Sequence, residues 1–404
     1  MHWVQDFRYA LRGLRNQPAF AAIAILTLAL GIGASTTIFS VIYAILLDPF
    51  PYTNPERIVS VAIHDSAQSG RGGRGAFQLD EFLDYRDQCR AFSEVIGGGN
   101  EDVLYSNGEG TERFDGAYMT ANTFRFLGVP AQFGRIITEE DVKPGAPPVF
   151  VMSYALWDKR FSRDLKILGR TFVFNNKAMT LVGIMPSRFT KRGADVWWGA
   201  SLDRSDPENA RRYFIFQARL KPGATLSEAR ADLEVVSHHI AATRPKDYPK
   251  QFAMQVETYI DGLIGQFRKT LYTLAAAVAL LLLIACSNVA NMLLARATAR
   301  EKELAIRSSL GASRFRLVRQ LLVESLVIAI AGAFAGWLFA WGGVKGLVAA
   351  IPQNLIPHEA VIRLNLPVLA FSLAVAVGTA ILFGLAPALK AAKKDIVEPL
   401  KDSG

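Results

Sequence analysis

The side chains best suited to metal or nucleophilic chemistry are few and scattered. The histidines are His2, His64, His238, His239 and His358. A metal site needs ligands that converge, at i,i+3 or i,i+4 on a helix or across a hairpin, and only His238 and His239 are neighbours. Adjacent positions on a helix point to different faces, so no metal site is expected. Cys89 falls in a segment of soluble composition and Cys286 in an apolar run, and the two are not expected to form a disulfide. No glycine is followed by lysine, which excludes a P-loop, so any ATP-driven work requires a nucleotide site on another chain. No catalytic constellation is recognisable and no cofactor is expected; the chain reads as a non-enzyme. The run Gly70-Arg-Gly-Gly-Arg-Gly75 lacks a leading strand and a following helix start, and reads as an exposed flexible loop.

Polar and small residues inside apolar runs carry more information, because hydrocarbon offers them no partner. Asn288 and Asn291 are three apart, share a helix face and with Ser287 are placed to hydrogen-bond to a neighbouring helix, a contact worth ~0.6 kcal/mol each. Gly332 and Gly336 form a small-xxx-small ridge that permits close backbone approach, within one bundle or across a dimer. Glu324 lies inside an apolar run with Arg296, Arg316 and Arg319 within snorkelling reach, and a structural ion pair is expected in preference to a proton relay. Between two runs, Leu304, Ile306 and Leu310 give a short helix an apolar side, Gly311 suits a left-handed stop and Ser313 caps the next helix. Such a helix is either a docking element or a basic helix resting on anionic lipid.

The elements that hold these residues are membrane spans. The 404 residues are 51% hydrophobic and 20% charged with a mean hydropathy of +0.20. The apolar residues gather in four runs, each exceeding the ~20 residues that cross a ~30 Å hydrocarbon core. The expected organisation is a cytoplasmic amphipathic helix over 1–17, a span over 18–47, an outer domain over 48–269, spans over 270–295 and 321–344 around a cytoplasmic loop 296–320, a short outer loop 345–365, a span over 366–389 and a tail 390–404. The first run is about twice the length of a signal-peptide core and reads as an uncleaved anchor. Basic residues crowd 1–17, 296–319 and the tail from Lys390, which predicts both termini in the cytoplasm. The net charge of +9 arises in those pieces, whereas 48–269 is nearly balanced, so no nucleic-acid partner is implied.

The outer segment mixes both periodicities. Arg57–Ile63 and Val149–Met152 read as strands, Thr171–Met185 as a hairpin turning at Asn175-Asn176, and Leu79–Phe92 as an amphipathic helix. Thr225 and Glu228 have capping-box spacing ahead of a helix through Val235 and Val236. The fold class is therefore an α-helical membrane bundle of four transmembrane helices with an inserted α+β domain.

Glu303-Leu-Ala-Ile-Arg-Ser-Ser-Leu-Gly-Ala312, followed by Arg319-Gln-Leu-Leu-Val-Glu-Ser-Leu, resembles the loop and third span of MacB/FtsX-type permeases of ABC transporters. Asp6-Phe-Arg-Tyr-Ala-Leu-Arg-Gly-Leu, Leu28-Ala-Leu-Gly-Ile-Gly-Ala and Gly384-Leu-Ala-Pro-Ala-Leu-Lys-Ala-Ala resemble that family's first helix and span and its closing motif. Phe126-Leu-Gly-Val-Pro, Gly134-Arg135, Ser153-Tyr-Ala-Leu-Trp157 and Val182-Gly-Ile-Met-Pro resemble its periplasmic core domain. The resemblance implies an inner-membrane permease, homodimeric or paired with a second permease unit, that is driven by an ABC ATPase in trans and exports from the periplasmic side, with a periplasmic adaptor as a further partner. It also implies that Glu303, Ala305, Ile306, Arg307, Leu310, Gly311 and Ala312 form the ATPase-coupling loop. The orphan permeases named from acidobacteria, which usually carry two such units, are the nearest resemblance; this chain carries one, as a half-length or truncated copy. A regulatory membrane protein that moves no substrate is the alternative expectation.

Overall fold

The computed structural model describes residues 12, 14–48, 50–67, 73–107, 110–299, 314–350 and 359–393. They divide into two units: a helical one within 1–47, 267–355 and 362–404, and an outer one formed by 48–266 together with 356–361.

The helical unit contains α1 (Pro18–Ile42), extended by one π turn to Leu47, the membrane part of α6 (Tyr259–Ala299), α7 (Arg314–Ala350) and α8 (Leu366–Lys393). Residues 18–47, 267–296 and 323–350 are long and apolar enough to cross a bilayer; among the described residues α8 contributes the apolar stretch Leu366–Ile381. Pro18 opens α1, where its missing N–H has no helical partner to lose. Ser35, Thr36, Thr37 and Ser40 each donate to the carbonyl four residues back, which satisfies hydroxyls that hydrocarbon would leave unmet. Leu28 and Ile32 of α1 pack with Cys286 and Val289 of α6 and Val327 and Ile328 of α7. Helices α6 and α7 are longer than their apolar runs, because their ends need no hydrocarbon match.

The outer unit is α+β. One sheet orders strands β16 (Phe252–Thr258), β1 (Ile58–Asp65), β15 (Gln217–Leu220) and β4 (Phe92–Ile96), with β2 (Gly73–Arg74) also on β1. A larger mixed sheet is centred on β8 (Gly116–Met119), β13 (Val196–Gly199), β10 (Val149–Met152) and β12 (Lys177–Ile184). Its β10–β12 and β13–β8 pairs are parallel. Alternation along β10 assigns Phe150 and Met152 to one hydrophobic core and Val149 and Val151 to a second. The second core, with Phe50, Tyr52, Phe189, Trp197 and Tyr259, surrounds the site described below.

Local signals act as expected in several places. The turn between β11 (Thr171–Phe174) and β12 places Asn175 and Asn176 at φ 48° and 63°, which suits asparagine. Thr225 and Glu228 cap α5 (Leu226–Thr243) reciprocally. The glycine-rich run departs from expectation over its described part. Gly73 and Arg74 pair with β1, and Arg74 makes two hydrogen bonds, of 2.6 and 2.7 Å, to the buried Glu81 carboxylate of α2 (Leu79–Gln88). Strand pairing and an ion pair fix what its composition predicts to be loose.

Candidate functional site

A lysine buried in the second core of the outer unit is the most unusual group there. Lys191 begins a short turn, Lys191–Gly193, in which Arg192 and Gly193 both have left-handed φ, 64° and 69°. That reversal lies between Phe189, anchored in the core, and β13, and the Trp197 indole N–H donates 3.0 Å to the Lys191 carbonyl. Lys191 is only 4% exposed. Its Nζ donates to Gln217 Oε1 at 2.9 Å and to the Tyr259 hydroxyl at 3.1 Å. The ammonium also lies 4.2 Å from the Tyr259 ring centroid and 5.2 Å from that of Tyr52, so two aromatic faces share the charge. The Tyr52 hydroxyl donates 2.7 Å to Oε1 of Glu359, itself 3% exposed.

Burial pushes the Lys191 pKa down to about 8, against the support of the Glu359 carboxylate and with a further lowering from Arg192. Burial, and secondarily Glu359, push Tyr52 well above the usual phenol range, and Tyr259 moves the same way. Beside this cluster a cavity of about 430 Å³ opens, lined by Asn100, Lys191, Arg192, Gln217, Tyr259 and Glu359 among others. Arg192 donates through Nε to Asn100 Oδ1 at 2.6 Å. The arrangement offers charge, hydrogen-bond donors and aromatic surface in one concave place, which is what a small-molecule site requires.

In the helical unit, Glu324 meets Arg296 across α7 and α6 at 3.3 Å, both side chains 6% exposed, with the guanidinium over the Phe20 ring at 5.0 Å. Gly332 faces Leu28, and Gly336 faces the backbone of Ala29 and Gly33 in α1. Asn288 and Asn291 lie on an exposed face of α6, turned away from the core that its Cys286, Val289 and Leu293 enter.

Residues 21–236 match the MacB-like periplasmic core domain family, and residues 275–396 match the FtsX-like permease C-terminal family. This chain is a MacB/FtsX-type permease. It is 27% identical over 286 residues to the macrolide export ATP-binding/permease protein MacB of Neisseria meningitidis, a match that covers 69% of the permease and 42% of that protein. It is 24% identical over 354 residues to the pyoverdine export ATP-binding/permease protein PvdT of Pseudomonas savastanoi, covering 84% and 50%. The permease therefore spans half or less of these relatives' length. The periplasmic region of MacB from Actinobacillus actinomycetemcomitans aligns with 57% of the permease and 97% of that chain, at 13% identity and a TM-score of 0.40.

The segment Glu303–Ala312, expected to couple to an ATPase, lies outside the described residues, as does most of the N-terminal helix expected over 1–17. The structure brings Gly332 and Gly336 of this permease to α1, and leaves Asn288 and Asn291 exposed. Sequence reasoning missed Tyr52, Lys191, Gln217, Tyr259 and Glu359. A lysine between Thr190 and Arg192 reads as a solvated turn, and no local pattern announces its burial.

Proposed function

We propose that the chain is the permease subunit of an ABC-type exporter in a bacterial inner membrane, driven by an ATPase in trans and acting on substrate from the periplasmic side. The observation that carries this reading is the two-segment build of the outer unit. Residues 48–266 and 356–361 belong to it, so the chain passes between helical and outer units four times. Displacement of the helices is thereby imposed on the outer unit at four covalent points rather than two. The relatives' names, macrolide export and pyoverdine export, supply the class of activity. Both termini and residues 303–312 face the cytoplasm, where Arg307 contacts the ATPase and Gly311 makes the turn. Asn288 and Asn291, exposed on α6, serve a second copy or a second permease unit, and a periplasmic adaptor extends the path outward.

The test is capture. The full chain in nanodiscs is used to retrieve ATPase subunits from its own membranes, and wild type is compared with Arg307→Glu. Capture of one ATPase, lost on charge reversal, with hydrolysis stimulated by the permease, is the expected result. No capture by a folded preparation would replace export with a regulatory role in the envelope.

A further inference from the structure

The cavity beside Lys191 holds two cations that no carboxylate meets in an ion pair. Among the described residues, neither Lys191 nor Arg192 forms an ion pair: the ammonium is met by the neutral oxygens of Gln217 and Tyr259, and the guanidinium by Asn100 through Nε alone. An ammonium at 4% exposure is expensive to hold in this way, since in direct contact its desolvation is offset by neutral dipoles and aromatic faces, and the Glu359 carboxylate acts without touching it. Arg192 adds backbone strain, as a non-glycine residue held at φ 64°. Strain and a buried ammonium without an ion-pair partner persist together where the surrounding structure is shaped for something else.

Two carboxylates line the same cavity, Glu257 and Glu359. Glu359 accepts from Tyr52, which holds it beside Lys191 without an ion pair, and its charge is the one that favours the ammonium. A second cavity of about 290 Å³ shares Ser60, Ile215 and Glu257 with the first, and extends along β1 past Gly73 and Gly75. The larger cavity falls within the 300–1,000 Å³ typical of small-molecule sites, and the smaller one continues it as a groove.

We propose that this cavity binds a small molecule through a carboxylate or phosphate group held by Lys191 and Arg192, with Glu359 as the built-in competitor for the same cations. The body of the ligand extends past Ile215 toward Glu257. An entering anion supplies the charge that Gln217 and Tyr259 lack, and it repels Glu359 in proportion to how closely both approach Lys191. Glu359 belongs to a segment that lies, in sequence, between two membrane helices, so occupancy and the placement of residues 359–361 are linked. Binding of this kind does not depend on the permease being an exporter.

The anionic group has two possible sources, a soluble molecule or a lipid headgroup. The full chain in nanodiscs of phosphatidylcholine is titrated by calorimetry with inorganic phosphate and with succinate, and again in nanodiscs containing phosphatidylglycerol. Saturable binding of either probe at one site per chain is expected, weakened at least tenfold in Arg192→Gln and in Lys191→Met, and tightened several-fold in Glu359→Gln. The gain in Glu359→Gln cannot come from misfolding, which keeps the test decisive if Lys191→Met folds poorly. Loss of probe binding in phosphatidylglycerol nanodiscs, restored by neutral lipid, supports the same site with a lipid headgroup as its source. Absence of binding in both lipids, or affinities that Arg192→Gln and Glu359→Gln leave unchanged, overturns the proposal. None of these readouts uses an ATPase, so their failure leaves the export reading standing.

Discussion

The Tyr52 hydroxyl and the Glu359 carboxylate meet at 2.7 Å across 307 residues of sequence, deep in the outer unit. This bond fastens Glu359, in a segment that joins the outer unit from beyond residue 266. Tyr52→Phe removes the donor and leaves a buried acceptor unmet, a loss of about 1–3 kcal/mol. Hydrogen exchange of residues 359–361 should then rise by one to two orders of magnitude, while β10 amides keep their protection. Unchanged exchange at 359–361 would mean that the segment is held by other contacts.

Lys191 makes stability pH-dependent in a direction opposite to that of a paired lysine. Its folded pKa is about 8 against an ordinary 10.5, so between these values the unfolded chain binds more protons and stability rises with pH. The rise is at most about 1.4 kcal/mol per pH unit, and the burial penalty is at its full value below pH 8. Above pH 10, Tyr52 and Tyr259 act the other way, because their raised pKa values let only the unfolded state ionise. Denaturant midpoints for the outer unit should therefore climb from pH 8 to about 9.5, and Lys191→Met should flatten the climb. A midpoint that falls over that window in wild type would contradict the burial of a charged lysine.

Gly336 admits no side chain without movement of backbone. A Cβ there would stand 3.0 Å from the Ala29 carbonyl oxygen and 3.2 Å from the Gly33 nitrogen. Gly336→Val should lower the stability of the helical unit by about 1–3 kcal/mol through overpacking, read as an earlier thermal transition in detergent. Gly346→Ala, where nothing lies within 4 Å, is the control and should leave the transition in place.

The Arg296–Glu324 pair, at 6% exposure on both sides, contributes through what its loss leaves behind. Glu324→Leu removes the carboxylate that meets a buried guanidinium and should destabilise the bundle by about 3–5 kcal/mol. The double variant Arg296→Met, Glu324→Leu should recover most of that loss, by the same desolvation argument. Yield of folded chain after detergent extraction separates the two; equal yields for single and double variants would argue against a mutually dependent pair.

The local parts of the fold were legible because their causes are local. Apolar runs become long apolar helices since only a helix closes its own hydrogen bonds in hydrocarbon, and among the described residues three of them meet the length for a span. Asn175 and Asn176 turn the hairpin because asparagine tolerates positive φ, and Thr225 with Glu228 starts α5 because each satisfies the other's backbone amide. Glu324 was legible as a group in need of a cation, and Arg296 was among the candidates in reach. Tertiary structure alone decided the rest. Arg74 left a run that composition assigns to loose loop and paired with Glu81, and Thr190-Lys191-Arg192-Gly193 has the chemistry of a solvated turn. Lys191 is instead enclosed by Tyr52, Gln217, Tyr259 and Glu359, which come from four separate stretches of chain. A lysine's burial depends on what folds over it, and no periodicity near residue 191 records a tyrosine 139 positions before it or a glutamate 168 positions after it.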